Sequence, residues 1–442
     1  MGHYPTQKHR TALLAVCSII RMNFSTFRAF RSRNYRLYFG GQSLSLLGTW
    51  MQKTAVSWVV YSHTNSKLML GVSVFATLFP AAIFSFLGGG VADRYQRYRV
   101  LLLTQILSMG QALLLTLLVW QRPGAVWGII GLSAVLGIIN GFDVPARQSL
   151  VPELIKNKQD LPNALALNSS MVNLAKLVGP ALAGFALEHL GAVACFGLNA
   201  LSFVAVIGSL LAIRLPPYVA KLHTKNMLAE LRDGLAYVAA TPAIRHILLM
   251  LALASLLALP FTTLLPVYAK DVFQGTASTF GMLDGAIGLG AFIGAIFLAS
   301  LQASVNLSKV LTVNTFIFGV GLLLFSHAPW YPLALLFLVI GAFGMMSQIT
   351  ISNTLLQTTV EPALRGRVLS LYVLAYAGLV PLGSLLVGAV SEHIGVQNTV
   401  LAEGILTLLI GVLHLRALRR AARVVEAAPV PAEPVSEKVL PV

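Results

Sequence analysis

Five ionisable residues stand inside long apolar stretches of this 442-residue chain. These residues are Lys53, Asp143, Lys176, Asp284 and Glu403. Because a charge in an apolar setting costs ~3 kcal/mol or more unless it meets water or a partner, each one is a functional candidate. Asp284 is the first choice for reversible proton binding, since the glycine-rich apolar segment around it disfavours the ionised carboxylate. Lys53 and Lys176 could form a structural ion pair with Asp284, or they could bind an anionic ligand.

Other titratable residues have plainer interpretations. Glu403 lies near the outer end of the last apolar stretch, where packing or interfacial exposure is the favoured interpretation. Two Glu-His pairs, Glu188–His189 and Glu392–His393, end the fifth and eleventh stretches. Histidine is the side chain suited to switching near neutral pH, so these pairs could control a gate, but solvated charges at exposed helix ends are the more ordinary interpretation.

Three polar stripes recur at helical spacing within the apolar stretches. A polar stripe on an otherwise apolar helix should face water or the protein interior rather than lipid. In the first stretch, the stripe spans an arc of roughly 100° at 3.6 residues per turn. We therefore expect the stripes to line a cavity. Their members are Gln42, Ser45, Thr49, Gln52 and Lys53 in the first stretch, Ser169, Asn173 and Lys176 in the fifth, and Thr350, Thr354 and Gln357 in the tenth.

The apolar stretches that must position these groups are long enough to cross a membrane as helices. About 20 helical residues span a hydrocarbon core of ~30 Å, whereas the strands of a membrane barrel need only ~10. Charged residues make up 10% of the chain and hydrophobic residues 57%. The sequence therefore predicts an all-α membrane protein with twelve transmembrane helices. The predicted ranges are 37–62, 68–90, 99–120, 127–150, 163–187, 193–214, 244–268, 278–301, 309–327, 331–355, 367–391 and 397–415.

The predicted helices divide into two six-helix halves with pseudo-symmetry. The longest interruption, 216–243, is charged and carries leucines and a valine at helical spacing, so it predicts a linker with an amphipathic helix. The motif GFALEHLG at 184–191 returns as GAVSEHIG at 388–395, and the segment 70–101 aligns with 280–311. Parallel repeats of this kind build a cavity between the halves and work by alternating access.

The basic residues predict the orientation in the membrane. The chain has a net charge of +16, and all but five of its 31 Lys and Arg residues fall on the side of the two termini. By the positive-inside rule, that side is cytoplasmic. The segments are a basic N-terminal segment 1–36, a half 37–215, the linker 216–243, a half 244–416 and a disordered cytoplasmic tail 417–442. The positive charge therefore indicates topology rather than nucleic-acid binding.

The loop after the second predicted helix reads GGVADRYQRYR. It resembles the signature loop of the major facilitator superfamily at Gly89, Asp93, Arg94, Arg97 and Arg99, with departures at Gln96 and Tyr98. Four further segments resemble bacterial exporters similar to enterobactin exporters and to the third drug:proton antiporter family. These segments are SLLGTWMQ, FDVPARQSLVPEL, LVGPALAG and LRGRVLSLY.

The resemblance implies a latch between the halves at the cytoplasmic face. In the family, the loop aspartate meets the positive N-terminal end of a helix in the other half, so in the outward-open state Asp93 is expected near Arg365 and Arg367 at the start of helix 11. The same resemblance implies that Arg97 pairs with Asp143 on helix 4, beside Arg147. It also implies a helix kink that antiporters carry in helix 5. The kink residues are Gly179, Pro180 and Gly184.

The resemblance further implies a secondary transporter in a bacterial inner membrane, with both termini cytoplasmic. We expect it to export an amphiphilic small molecule, a siderophore or drug-like compound, by proton antiport, as a monomer without cofactors. Lipids would surround it, and nucleic acid is not an expected partner. Alternatives are a flippase for lysophospholipids or other lipids, and a sensor or scaffold that transports nothing. The sequence contains no nucleotide-binding P-loop, catalytic triad or metal-ligand cluster, so an enzyme is not expected.

Overall fold

A computed structural model describes residues 24–215, 227–302, 304–362 and 364–427 of the chain. Twelve long helices run through these ranges. In the first half they are α1 (Arg33–Thr64), α2 (Lys67–Arg94), α3 (Arg97–Gln121), α4 (Val126–Leu150), α5 (Leu161–His189) and α6 (Gly191–Leu211). In the second half they are α7 (Pro242–Val272), α8 (Ala277–Ser300), α9 (Leu307–Ser326), α10 (Tyr331–Thr359), α11 (Arg365–Ile394) and α12 (Val396–Ala427).

Among the described residues, eleven helices are long and apolar enough to cross a membrane. The twelfth, α1, has 32 residues and carries the polar stripe that includes Gln42, Gln52 and Lys53, which lowers its hydropathy. The twelve predicted helices are therefore all present. Most of their ends lie within a few residues of the predicted positions.

One boundary differs from the prediction, and the predicted linker helix is confirmed. The predicted disordered tail was to begin at residue 417, but α12 continues to Ala427 because the alanines, leucine and arginines beyond Leu415 are good helix formers. The remainder of that tail lies outside the described residues. Within the predicted linker, a helix runs from Met227 to Ala240. We call it the linker helix.

The two halves use the same helix pairings. In the first half, α2 packs against α4, α1 against α6, and α3 against both α4 and α6. The corresponding pairs in the second half are α8 with α10, α7 with α12, and α9 with both α10 and α12. Two further pairs, α5 with α8 and α2 with α11, join one half to the other. The packing thus matches the internal repeat in the sequence.

Glycines allow the helices of the two halves to approach closely. A Cβ atom added at Gly184 on α5 would lie 2.7 Å from the carbonyl oxygen of Ala277 on α8. A Cβ atom at Gly388 on α11 would lie 2.7 Å from the carbonyl oxygen of Lys67 on α2. Small residues permit this backbone-to-backbone packing in membrane helices. The repeated motif that supplies Gly184 and Gly388 therefore forms equivalent contacts at both crossings.

The molecule has two distinct faces. The terminal face carries the start of α1, the linker helix and the end of α12, and the far face carries the turns α1–α2, α5–α6, α7–α8 and α11–α12. In the described part of the chain, the hydrogen bonds between the halves lie between the helix midpoints and the far face. The halves are thus joined on the far side.

Candidate functional site

Three ionisable residues meet where the two halves face each other. Lys53 lies on α1 and Lys176 on α5, both in the first half, and Asp284 lies on α8 in the second. The charge of Lys176 interacts with the charges of both Lys53 and Asp284. A carboxylate oxygen of Asp284 also accepts a hydrogen bond of 3.2 Å from the Thr54 hydroxyl, which is the innermost polar contact between the halves. We call Lys53, Thr54, Lys176 and Asp284 the central cluster.

The close crossing of α5 and α8 brings the cluster together. A Cβ atom at Gly288, one turn from Asp284, would lie 2.9 Å from the carbonyl oxygen of Lys176 and 2.6 Å from the Cα of Leu177. Glycine at this position therefore lets the backbone of α8 lie directly against the segment that carries Lys176. Asp284 itself lies seven residues into α8, about 10 Å from its far end.

Lys53 faces open space rather than a salt-bridge partner. Its side chain is exposed, although its neighbours Gln52 and Thr54 are buried. Its ammonium nitrogen lies 4.6 Å from the centre of the Trp50 ring, a cation–π contact. Because Lys53 interacts electrostatically with Lys176 at the boundary between the halves, this exposure indicates an inter-half cavity.

A set of aromatic and polar contacts seals the cavity on the far side. The rings of Trp58 and Phe280 stack with their centres 6.1 Å apart, one turn beyond Thr54 and Asp284. A further turn outward, the Tyr61 hydroxyl donates a hydrogen bond to the carboxylate of Asp271. Both contacts join α1 to the second half. They separate the central cluster from the far face.

Two pseudo-symmetric carboxylates complete the seal at the far face. Glu392, near the end of α11, accepts hydrogen bonds from the Ser66 hydroxyl at 2.6 Å and from the backbone N–H of Leu68 at 3.1 Å, at the N-terminus of α2. Glu188, at the end of α5, accepts a hydrogen bond of 2.8 Å from the Thr276 hydroxyl at the N-terminus of α8. We call these contacts the Glu392 clasp and the Glu188 clasp.

The sequence did not predict that these two glutamates join the halves. It noted the repeated Glu-His pairs but favoured solvated charges at exposed helix ends. The available signal was the position of the motif at equivalent helix ends in both halves, together with Ser66 and Thr276 as the N-cap residues of α2 and α8. A carboxylate at a helix N-terminus is stabilised by free N–H groups and by the helix dipole.

The first predicted polar stripe does not line the cavity as a unit. Gln52 is 2% exposed and takes part in a network inside the first half, where it donates to Gln111 at 3.1 Å and accepts from Asn199 at 2.7 Å. Gln42 and Ser45 are equally buried. Their prediction as cavity residues is therefore corrected, because the stripe faces α6 and α3 as well as the other half. Thr49 is half-buried and Lys53 is exposed.

The second and third stripes remain more accessible. Ser169 is exposed and Asn173 half-buried on α5, where the Asn173 amide donates to the Ser169 carbonyl oxygen at 3.0 Å. On α10, Thr350 and Thr354 are half-buried and Gln357 is exposed. These positions leave the second and third stripes available to a cavity that is open toward the terminal face.

Arg97 of the signature loop forms contacts inside the first half. The predicted pair of Arg97 with Asp143 is wrong: Arg97 instead pairs with Glu153 at 2.6 Å. Asp143 pairs with Arg147 at 3.1 Å and accepts from Gln105 at 2.6 Å. The i,i+4 spacing on α4 brings Arg147 to Asp143 directly.

The predicted latch between the halves has no described counterpart. Arg367 pairs with Asp233 of the linker helix at 3.0 Å rather than with the signature loop. Arg94 and Arg99 are exposed, and Gly89 is half-buried. The side chain of Asp93 lies outside the described side chains, so its predicted contact near Arg365 remains a prediction.

The predicted kink residues form a packing surface. The helix α5 runs without interruption through Pro180. A Cβ atom at Gly179 would lie 2.6 Å from the Cβ of Trp50 on α1, whereas one at Gly281 on α8 would lie 2.5 Å from the carbonyl oxygen of Pro180. Gly179, Pro180 and Gly184 thus bring α5 against both α1 and α8.

Glu403 is buried inside the second half. Its side chain is 3% exposed, and neither carboxylate oxygen has a hydrogen-bond partner. The interpretation as a packed residue therefore fits better than interfacial exposure. Among the described residues, no group of three or more His, Cys, Asp or Glu side chains could hold a metal ion.

Known structures share this architecture. A POT family transporter in complex with 5-aminolevulinic acid superposes with a TM-score of 0.70 and 15% identity, over 88% of this chain and 96% of that one. A bacterial homologue of the human lysosomal transporter Spinster, in an inward-facing and unoccupied conformation, has a TM-score of 0.70 and 13% identity, over 90% of this chain and 98% of that one. These likenesses show the fold.

Sequence relatives are transporters. The staphyloferrin A transporter of Staphylococcus aureus is 27% identical over 85% of this chain and 94% of its own length. The multidrug efflux pump Tap of Mycolicibacterium fortuitum is 27% identical over 81% and 89%. The macrolide efflux protein A of Streptococcus pyogenes is 22% identical over 86% and 96%. A model of the transmembrane secretion effector family matches residues 24–441. The chain therefore belongs to the transmembrane secretion effector family of the major facilitator superfamily, and it is a multi-pass efflux transporter rather than an enzyme.

Proposed function

We propose that this chain exports an amphiphilic small molecule of siderophore or drug type by alternating access, in exchange for protons. The two halves, 37–215 and 244–416, would move as bodies around the central cluster. The observation that carries the proposal is an ionisable cluster at the boundary of the halves, closed from the far face while Lys53 is exposed.

The basic residues support an orientation with the terminal face in the cytoplasm. Exposed arginines at that face include Arg33, Arg36, Arg94 and Arg99. Anionic lipid and the positive-inside rule favour such residues on the cytoplasmic side. With that orientation, the cavity is open to the cytoplasm and closed to the outside of a bacterial inner membrane. This is the state that would receive a substrate for export.

Asp284 is the proposed proton-exchange residue. It lies at the boundary of the halves and hydrogen bonds to Thr54 when the far side is closed. A hydrogen bond between halves must break when they separate, so the environment of the carboxylate changes with the state of the transporter. Asp284 would take up a proton from the outside and release it into the cytoplasm. Asp93, Arg365 and Arg367 would form the cytoplasmic latch in the opposite, outward-open state.

Proton flux in proteoliposomes tests this function. Purified protein is reconstituted with an imposed pH gradient, and internal pH is recorded after addition of siderophores, lipophilic cations or lysophospholipids. We expect substrate-dependent proton movement in the parent chain and none in Asp284→Asn at equal protein content. His393→Ala is the matched control and should retain flux, because His393 is exposed and lies at the far face. Lysophospholipid movement without a proton signal would instead favour the flippase.

A further inference from the structure

The central cluster has an excess of positive charge. Lys53 and Lys176 contribute two ammonium groups, and Asp284 contributes one carboxylate. A net charge in the interior of a membrane protein is costly unless water or a counter-ion compensates it. Lys53 is exposed, so water compensates its charge while the cavity is open, and enclosing it between the halves calls for a counter-ion.

Neither lysine has a carboxylate within 4.0 Å in the described part of the chain. The ion pairs found there belong to arginines: Arg28, Arg97, Arg147 and Arg367. The contact of Lys53 with the face of the Trp50 ring is a cation–π contact at an exposed position, where such contacts are weak. Such a contact is easily exchanged for a stronger one. Lys53 is thus a cation with a weak intramolecular partner, facing the cavity.

We propose that the cavity binds its substrate as an organic anion, whose negative group lies between Lys53 and Lys176 while its apolar part rests against Trp50. This inference rests on the proposed function, since it concerns the same export cavity. The two lysines lie on neighbouring helices of one half, α1 and α5, which pack against each other. The binding groups would therefore move together when the halves rock.

Charge counting supports a monoanion. With Asp284 ionised, the empty cluster carries one net positive charge, and a bound monoanion reduces that charge to zero. A neutral loaded cluster is cheaper to enclose between the halves than a charged one. The loaded cluster is neutral only while Asp284 carries no proton. This agrees with a cycle in which the proton travels on the return step, opposite to the substrate.

Three fluorescent probes with one ring system test the charge class. Pyrenebutyrate, pyrenebutanol and pyrenebutylamine share a pyrene ring and a four-carbon tether and differ in charge. Binding to the full chain in phosphatidylcholine nanodiscs is followed by energy transfer from tryptophan to pyrene, with empty nanodiscs as background. We expect pyrenebutyrate to bind about tenfold or more tighter than pyrenebutanol, the usual size for a charge-assisted hydrogen bond. Pyrenebutylamine should bind most weakly.

Variants assign the effect to the two lysines. Lys53→Gln and Lys176→Gln should each weaken pyrenebutyrate binding about tenfold or more while leaving pyrenebutanol binding unchanged. Lys53→Arg keeps the charge and should retain binding. Lys158→Gln, at an exposed position near the terminal face, is the matched control and should behave as the parent chain. Unchanged binding of pyrenebutanol shows that a variant remains folded.

The outcomes separate this inference from the proposed function. Lysine-dependent binding of pyrenebutyrate supports the anion site even if proteoliposomes export none of the probes, in which case the export proposal fails alone. Equal binding of all three probes, or tightest binding of pyrenebutylamine, overturns the anion site. Pyrenebutyrate binding that survives both glutamine substitutions overturns it as well, even where proton-coupled export is observed.

Discussion

Breaking the clasps at the far face should open that side of the transporter. In the Glu392→Ala variant, the Ser66 hydroxyl and the Leu68 N–H lose the carboxylate that joins α11 to α2. In the Glu188→Ala variant, the Thr276 hydroxyl loses its partner at the pseudo-symmetric position. Each clasp exists only while the far ends of the halves are in contact. The substitutions therefore destabilise the far-closed state selectively.

The expected change in free energy between the far-open and far-closed states follows from the number of hydrogen bonds lost and from their exposure. Hydrogen bonds to charged groups contribute about 1.5–3 kcal/mol when buried, but Glu392 is exposed, which reduces each bond to about 0.5–1 kcal/mol. Two bonds give about 1–2 kcal/mol for Glu392→Ala, a shift of about 5- to 30-fold in the ratio of far-open to far-closed molecules. Glu188→Ala removes one hydrogen bond, so its change in free energy should be about half as large.

Spin-label distances across the far face measure this ratio. After Cys17 and Cys195 are replaced by alanine, labels are attached at Gly124→Cys in the first half and Pro329→Cys in the second, both exposed positions in far-face turns. We expect a longer-distance population that grows from Glu188→Ala to Glu392→Ala to the double variant.

His393→Ala provides the control for the clasp experiment. It removes the exposed imidazole side chain next to Glu392, and it should leave the distance distribution unchanged. If the double variant keeps the distribution of the parent chain, or if His393→Ala shifts it equally, the clasps do not hold the far side closed.

Two further substitutions test the interior of the halves, and a third tests the contact between them. Asn199→Ala leaves the buried Gln52 side chain without its 2.7 Å donor. We expect the free energy of unfolding to fall by about 1–3 kcal/mol, and the midpoint of thermal unfolding in detergent to fall with it. Glu403→Gln should leave both thermal stability and transport unchanged, because the buried carboxylate has no partner to lose; a loss of proton-coupled flux would give Glu403 a functional role instead. Thr54→Val removes the innermost hydrogen bond between the halves and should increase the far-open population in the spin-label assay.

The sequence was sufficient for the architecture because membrane crossing imposes a simple pattern. Apolar length located twelve helices, and the motif repeat identified two halves with equivalent packing at Gly184 and Gly388. It also predicted Lys53, Lys176 and Asp284 as functional candidates. An ionisable residue in an apolar helix is rare enough to stand out by type alone. The recognition of the signature loop added the family.

The sequence was insufficient where partners depend on helix rotation and on the state of the transporter. The stripe on α1 contains residues that face different neighbours: Gln52 points to Asn199 and Gln111, whereas Lys53, the next residue, is exposed. Adjacent residues on a helix differ by about 100°, so a stripe of that width can serve both a packed interface and a cavity. The pair of Arg97 with Glu153 also required the position of the segment after α4.

The two halves share helix packing but differ in their buried polar groups, and this difference bears on mechanism. The offset that relates Gly184 to Gly388 also relates Asn199 on α6 to Glu403 on α12. In the first half, Asn199 belongs to a satisfied network with Gln52, which ties α6 to α1. In the second half, the equivalent side chain has no hydrogen-bond partner, so it supplies no such tie between α12 and α7. The half that carries both lysines is thus the one with the polar network behind them. In the proposed cycle, α1 and α6 would therefore move together while the other half, with Asp284, moves against them.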